Sequence, residues 1–203
     1  MPKKEENTEL AVLESARKLF KLKGLDGTSV QEIASDAGTT KSMVNYYFRS
    51  KEKLFTAVFQ REFMQFFSGI AASILSGSTL KEKIEKIVEL DTQKLLDFPD
   101  LPIFIINEIN RNGDIVFAHL GELNPAKLFS IIDKQIEEEV NNGNIHPIRA
   151  YDLFMSIQGL TIFPFLGKPL LKKVNEWTDD EFKNIVLNRK KIIVDMIWNY
   201  IAK

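Results

Sequence analysis

The residues best equipped for chemistry lie close together: Thr40, Lys41, Ser42, Met43, Asn45, Tyr46 and Tyr47, followed by Lys51. Hydroxyls, an ammonium, a carboxamide and two phenols share a segment too short to need them all for packing. Such side chains donate to phosphate oxygens or touch base edges, and an Asn can pair with adenine through two hydrogen bonds at once. Lys51 falls in the first turn of the helix that follows, where a cation opposes the helix dipole. A phosphate bound at that helix start would resolve the conflict. The implied chemistry is recognition of a polyanion.

Bond-breaking chemistry finds little support. The chain has no cysteine, which excludes disulfides, thiolate metal sites and cysteine catalysis. It carries no Gly-rich phosphate loop and no nucleophile elbow. His119 and His146 are its two histidines, and neither has a Glu three residues before it, so the di-iron bundle pattern is missing. His119 with Glu122 offers too few ligands for a metal, and Glu137-Glu138-Glu139 reads as a solvated helix face. No catalysis, metal or cofactor is expected. The rival reading is a helical protein whose apolar pocket binds a ligand, or catalyses a reaction, without binding DNA.

The elements that must position these residues are helical throughout. Leu10, Leu13, Ala16 and Phe20 form an apolar stripe that ends near Gly24. Thr28 and Gln31 match a capping box opening a short helix with Val30, Ile33 and Ala34 inward. Gly38 suits a left-handed helix end, and Thr40 caps a second short helix to about Tyr47. Ala34 and Ala37 let the two helices cross closely, and Val44 packs inward. Two short helices around Ala37-Gly38-Thr39 make a helix-turn-helix, whose second helix enters the major groove. Ser50 caps a long helix to about Leu75. Further starts are expected at Thr79–Glu82, Asn124-Pro125, Pro147 and Thr178–Glu181, a short buried helix at 102–111, and a loop around Gly167 and Pro169.

Phe20, Lys23-Gly24, Thr28-Ser29-Val30-Gln31-Glu32-Ile33-Ala34, Ala37-Gly38 and Tyr46-Tyr47-Phe48-Arg49-Ser50-Lys51-Glu52-Lys53-Leu54 together resemble the TetR family of bacterial transcriptional regulators. The resemblance spans Leu10 to Val58. It implies that Thr28 and Ser29 touch phosphate, that Thr40, Lys41, Ser42, Met43 and Asn45 face bases, and that Tyr46, Tyr47 and Lys51 grip the backbone. Leu25, Asn45 and Tyr47 depart from the residues usual in the family, so operator preference is left open. The implied fold is all-α, about nine helices, with a helix-turn-helix DNA-binding domain at 1–50 and an effector-binding and dimerisation domain at 51–203. The implied function is a homodimeric repressor of a palindromic, double-stranded DNA operator.

By the same resemblance, the last helices pair with those of a second copy. The wide apolar stripes there offer Phe154, Ile157, Gly159 and Leu160, then Ile185, Ile192, Met196, Ile197 and Tyr200. The resemblance also places an effector cavity beside the long helix, where Phe59, Phe63, Phe66 and Phe67 recur at helical spacing, facing Phe104, Ile105, Glu108 and Phe117. Fifteen Phe argue for an apolar or aromatic effector. Net charge is −1 overall; residues 1–60 hold 10 − 8 = +2 and the rest 17 − 20 = −3, so DNA affinity must come from where the cations sit. The polar N-terminus lacks a signal peptide's apolar core. The apolar stretch Leu153–Leu166 is too short and interrupted to span a bilayer. A cytoplasmic location without membrane contact is expected.

Overall fold

A computed structural model of the chain describes residues 2–107, 110, 121 and 123–203, with side chains from residue 7 onward. The described residues are built from helices: α1 (Pro2–Lys23), α2 (Val30–Asp36), α3 (Lys41–Phe48), α4 (Lys51–Leu75), α5 (Leu80–Asp97), α6 (101–107), α7 (Pro125–Asn141), α8 (Ala150–Leu166), α9 (Lys168–Asn175) and α10 (Asp179–Ile201). The fold is all-α, as the periodicity predicts. Among the described residues the extended pairing is one antiparallel bridge, Ile145 with Ala202. No single helix among them is long and apolar enough to cross a membrane.

Side-chain caps explain several of the starts. Thr79 with Glu82 and Thr178 with Glu181 form complete boxes, side chain to amide in both directions, and Asn124 caps α7 ahead of Pro125. Three expectations need correction. The box of α2 is Ser29 with Glu32, not Thr28 with Gln31, because the Thr28 hydroxyl is drawn back to the Gly24 carbonyl at 2.8 Å. The helix expected from Pro147 starts at Ala150, whose amide donates to Asp133 Oδ1 at 2.8 Å. The loop expected around Gly167 and Pro169 is helical: Gly167 ends α8 and begins α9, and proline in the first turn forfeits no helical hydrogen bond.

The chain divides into two compact units, Met1–Phe63 and Met64–Lys203. The division falls inside α4, not at its start, since the first turns of α4 bury Leu54 and Val58 in unit 1. In unit 1, Val12, Ala16, Leu19 and Phe20 of α1 are buried along with Ile33 and Ala34 of α2 and Val44 and Phe48 of α3. The Phe20 ring meets Phe55 edge-on at 5.0 Å, and Phe55 lies against Phe59 at 4.1 Å. Arg17 of α1 pairs with the buried carboxylate of Glu62 on α4.

In unit 2, α5 packs on α8 and α10, with α7 alongside. The interior falls into two apolar clusters. The larger joins Ile84, Ile87 and Val88 to Ile132, Ile136, Leu153, Ile157, Ile193 and Ile197; the smaller joins Leu95, Phe165, Phe182 and Val186. Ile193 is a buried member of the larger one, 2% exposed. Replacing it with Ala should lower unfolding free energy in urea by roughly 2–5 kcal/mol, the cost of lost burial plus an unfilled cavity; a change below about 0.5 kcal/mol would contradict the packing described.

Candidate nucleic-acid interface

The turn between α2 and α3 is closed by the backbone. Gly38 adopts φ 64°, with its amide on Ser35 O at 3.2 Å and the Thr39 amide on Ala34 O at 2.9 Å. That pair of bonds is a Schellman ending, and its left-handed residue favours glycine. Thr40 then caps α3 by accepting from the Met43 amide at 3.3 Å. With Val44 and Phe48 buried, helical spacing turns the opposite face outward: Lys41, Ser42, Asn45 and Tyr46 are exposed, as is the capping Thr40. Met43 and Tyr47 are half-buried, and the two tyrosine rings meet edge-on at 5.3 Å. The structure therefore brings these seven residues together on one short helix and its cap.

Two predicted phosphate contacts have structural work to do. Thr28 is only 2% exposed, and its hydroxyl lies within hydrogen-bond distance of both Gly24 O and Leu19 O. Its side chain is thus turned into unit 1, a correction to its expected contact with phosphate. Lys51 is half-buried, and its Nζ donates to Leu25 O at 2.9 Å and Thr28 O at 3.1 Å. Carbonyl oxygens, with no phosphate needed, answer the conflict between this cation and its helix dipole. Each such charged hydrogen bond is worth about 1.5–3 kcal/mol.

Ser29 stays exposed and opens a recess of about 420 Å³ lined by Asp26 to Glu32 together with Lys41 and Lys51. The Lys23 ammonium, then the Ser29 amide and hydroxyl, hold the Glu32 carboxyl at about 2. Two carboxylates and two lysines line the recess, so its formal charge cancels and anion binding there depends on placement. Sequence reasoning missed two residues. Gln31, assigned to a cap, is exposed and lines this recess. Arg49 ends α3 at φ 65°, a conformation that costs a non-glycine residue about 1–3 kcal/mol, and is exposed beside the reading face. A cation directly after buried Phe48 was the available signal.

The remaining predicted residues are spread over both units. Phe59 and Phe63 are buried in unit 1; Phe66 and Phe67, whose rings meet at 5.1 Å, are half-buried in unit 2, as are Phe104 and Ile105. Glu108 and Phe117 lie outside the described residues, as do His119 and Glu122. Of the expected dimer residues, Gly159, Ile192, Met196 and Tyr200 are exposed, and Phe154, Leu160 and Ile185 are half-buried. Ile157 and Ile197 are buried in the larger cluster of unit 2, a correction: the seam of α5, α8 and α10 claims them. Sequence reasoning missed exposed Tyr151, Met155 and Phe163, which with Gly159 recur every four residues along α8. Apolar periodicity marked the helix but not which stripe faces out.

Residues 12–58 match the family model for bacterial regulatory proteins, tetR family. The probable HTH-type transcriptional regulator YttP of Bacillus subtilis (strain 168) is 35% identical over 173 residues, covering 83% of this chain and 82% of that protein. The HTH-type transcriptional regulator RutR of Escherichia coli O157:H7 is 27% identical over 193 residues, covering 92% and 89%. Among solved structures, a transcriptional regulator from Cytophaga hutchinsonii ATCC 33406 shares the fold, with a TM-score of 0.65 at 23% identity over 95% of this chain and 97% of that one. A TetR-family regulator from Mesorhizobium loti MAFF303099 also shares it, with a TM-score of 0.59 at 18% identity over 98% of each. With its reading helix capped, its turn closed and its aligned relatives spanning most of both chains, this protein belongs to the tetR family of bacterial transcriptional regulators.

Proposed function

We propose that the protein is a repressor that binds a palindromic operator as a homodimer, in the cytoplasm, and that a small apolar effector modulates this binding. The observation that carries the reading is the outward face of α3, where Lys41, Ser42, Asn45 and Tyr46 project from a helix anchored by buried Val44 and Phe48. One short helix reads few base pairs, and two-fold pairing supplies two half-sites. Unit 1 is assigned to DNA. Unit 2 is assigned to pairing and to the effector, with α4 beginning in one and ending in the other.

Two adjacent helices support pairing. Tyr151, Met155 and Phe163 of α8 are exposed, as are Ile192, Met196 and Tyr200 of α10. Apolar surface gathered in this way is typical of an interaction site. Phe163 is 66% exposed and Tyr200 79%, values that leave much apolar area for a second copy to cover. For the effector, the support is the aromatic content of α4 and a small apolar cavity of about 30 Å³ between α5, α7 and α8, lined by Ile84, Ile87, Phe129, Leu153 and Phe154. A space of that size holds roughly one water, so an effector entering there must part the helices.

Selection of bound sequences from a random duplex pool should recover an inverted repeat; recovery of no enriched sequence would remove the DNA-reading assignment. Lys41→Ala and Tyr46→Ala should weaken operator binding and leave the melting temperature unchanged. Lys51→Met should lower both, with a stability loss of about 1.5–3 kcal/mol for each of the two bonds removed, because it removes bonds within unit 1 as well as a charge. Asn45→Ala should instead change base preference at one position of each half-site, read by repeating the selection. Phe163→Glu with Met196→Glu should convert dimer to monomer in light scattering after size exclusion, and an unchanged mass would reject this pairing surface.

A further inference from the structure

Midway along unit 2 the apolar interior is interrupted by a polar layer. On α5 the core-facing positions run Leu80, Ile84, Val88, Asp91 and Leu95; on α8 they run Leu153, Ile157, Thr161 and Phe165. On α10, Arg189 occupies the helical position between buried Val186 and Ile193. The larger cluster stops at Val88, Ile157 and Ile193, and the smaller resumes at Leu95, Phe165 and Val186. The α5–α10 pair runs antiparallel, with Lys190 Nζ on Glu89 at 2.6 Å and Lys81 over the Trp198 ring at 5.6 Å. That register puts Asp91 and Arg189 at one level.

Asp91 is 1% exposed. Its Oδ2 accepts from Gln158 Nε2 at 2.7 Å and is 3.2 Å from Thr161 Oγ1, both on α8. Its Oδ1 is sealed from solvent with no hydrogen-bond partner, and so is Arg189 Nε. Several other charged groups on the packed helices are engaged elsewhere. Lys190 of α10 holds Glu89, Asp133 of α7 holds the Ala150 amide, and Lys83 of α5 donates to Gln135 of α7. Lys94 lies over the Phe98 ring, and on α8 Asp152 is exposed. Among the described residues, no cation is paired with the Asp91 carboxyl.

We propose that Asp91 is a proton-operated latch: neutral, it fastens α5 to α8 across a buried polar layer; ionised, it opens that layer. The hydrogen bonds fit the neutral acid. Thr161 has one hydroxyl proton, and its nearest acceptor is Ile157 O at 2.8 Å, the back-bond typical of a helical Thr. Its lone pairs then remain to accept the proton of an Asp91 acid. An ionised Asp91 loses that bond and keeps a sealed oxygen with no hydrogen-bond partner among the described residues, an arrangement that buried charge does not tolerate. Water must enter, or the Arg189 guanidinium must be drawn in, and either requires α5, α8 and α10 to shift.

Burial, the largest cause, pushes the Asp91 carboxyl up to about 7, against the opposing pull of the hydrogen bond that Gln158 donates. In the unfolded chain it returns to the ordinary carboxylate range near 3.8. Between those values the folded protein holds a proton that the unfolded chain has released, so stability falls as pH rises through the window and stays lower above it. The latch belongs to unit 2 alone and is independent of whether the chain reads DNA.

The test compares the full-length protein with Asp91→Asn by urea unfolding between about pH 5 and about pH 7, with hydrogen-exchange protection of the α8 amides measured alongside. The folding equilibrium constant of the parent relative to Asp91→Asn should fall about tenfold per pH unit, and α8 protection should fall with it in the parent alone. A ratio that stays constant, or one that falls while α8 protection holds, overturns the latch. Should Asp91→Asn not fold, the carboxyl carbon of Asp91 followed by NMR in the parent decides: a midpoint near 7 supports the latch and one near 4 overturns it.

Discussion

Where the chain leaves α1 and enters α2, every polar group that faces inward must be claimed by the protein itself. Thr28 returns its hydroxyl to the end of α1, and Lys51 reaches across from the start of α4 to the Leu25 and Thr28 carbonyls. Three helices are thereby tied at one corner, through bonds that water would otherwise compete for. The direction of α3 depends on that corner. Its own hold on unit 1 is two buried side chains, Val44 and Phe48, and its eight residues are too few to be stable alone. The placement of α3 is a property of the corner before it is a property of the side chains that α3 presents.

How much of this was legible in the sequence depended on how many local solutions each stretch allowed. At Thr79 and Thr178 a single Thr-x-x-Glu preceded an apolar run, and both boxes formed. At Thr28-Ser29 two boxes overlapped, one residue apart, and both satisfied the pattern. What separated them was the carbonyl of Gly24, a tertiary partner that no local rule includes. The same holds for Lys51. The dipole argument recognised that its charge needed a partner and named phosphate, whereas the folded chain supplied backbone oxygen. The outward face of α3 was legible because buried Val44 and Phe48 fix it by helical spacing alone.

In unit 2 the limit is of another kind. Apolar residues at helical spacing report that a helix is amphipathic, but a helix with two apolar stripes does not say which faces the core. Ile157 and Ile197 lie on the inner stripes of α8 and α10, while Met155 and Met196 lie on the outer ones. The sequence distinguishes them only once the register of α5 against α8 and α10 is known. Helix α9 was hidden by Gly167 and Pro169, which mark loops and helix starts equally well. Asp91, among isoleucines and leucines on α5, went unremarked in the sequence, since the hydrogen-bond partners that seal it are on another helix.

Gly159 has a consequence for the lone protomer. It occupies the middle of α8, exposed, and nothing outside its own helix lies within 4 Å of where a Cβ would stand. Relative to alanine, glycine in a helix interior loses about 0.5–1 kcal/mol to backbone freedom. Among the described residues, no neighbouring helix comes near enough to require the missing methyl. The protomer therefore carries a weakened helix without compensation of its own, and alanine at this position would make the isolated chain sturdier while roughening the flat patch between Met155 and Phe163. At a single hydrogen atom, the sturdiness of the helix is set against the shape of its exposed face.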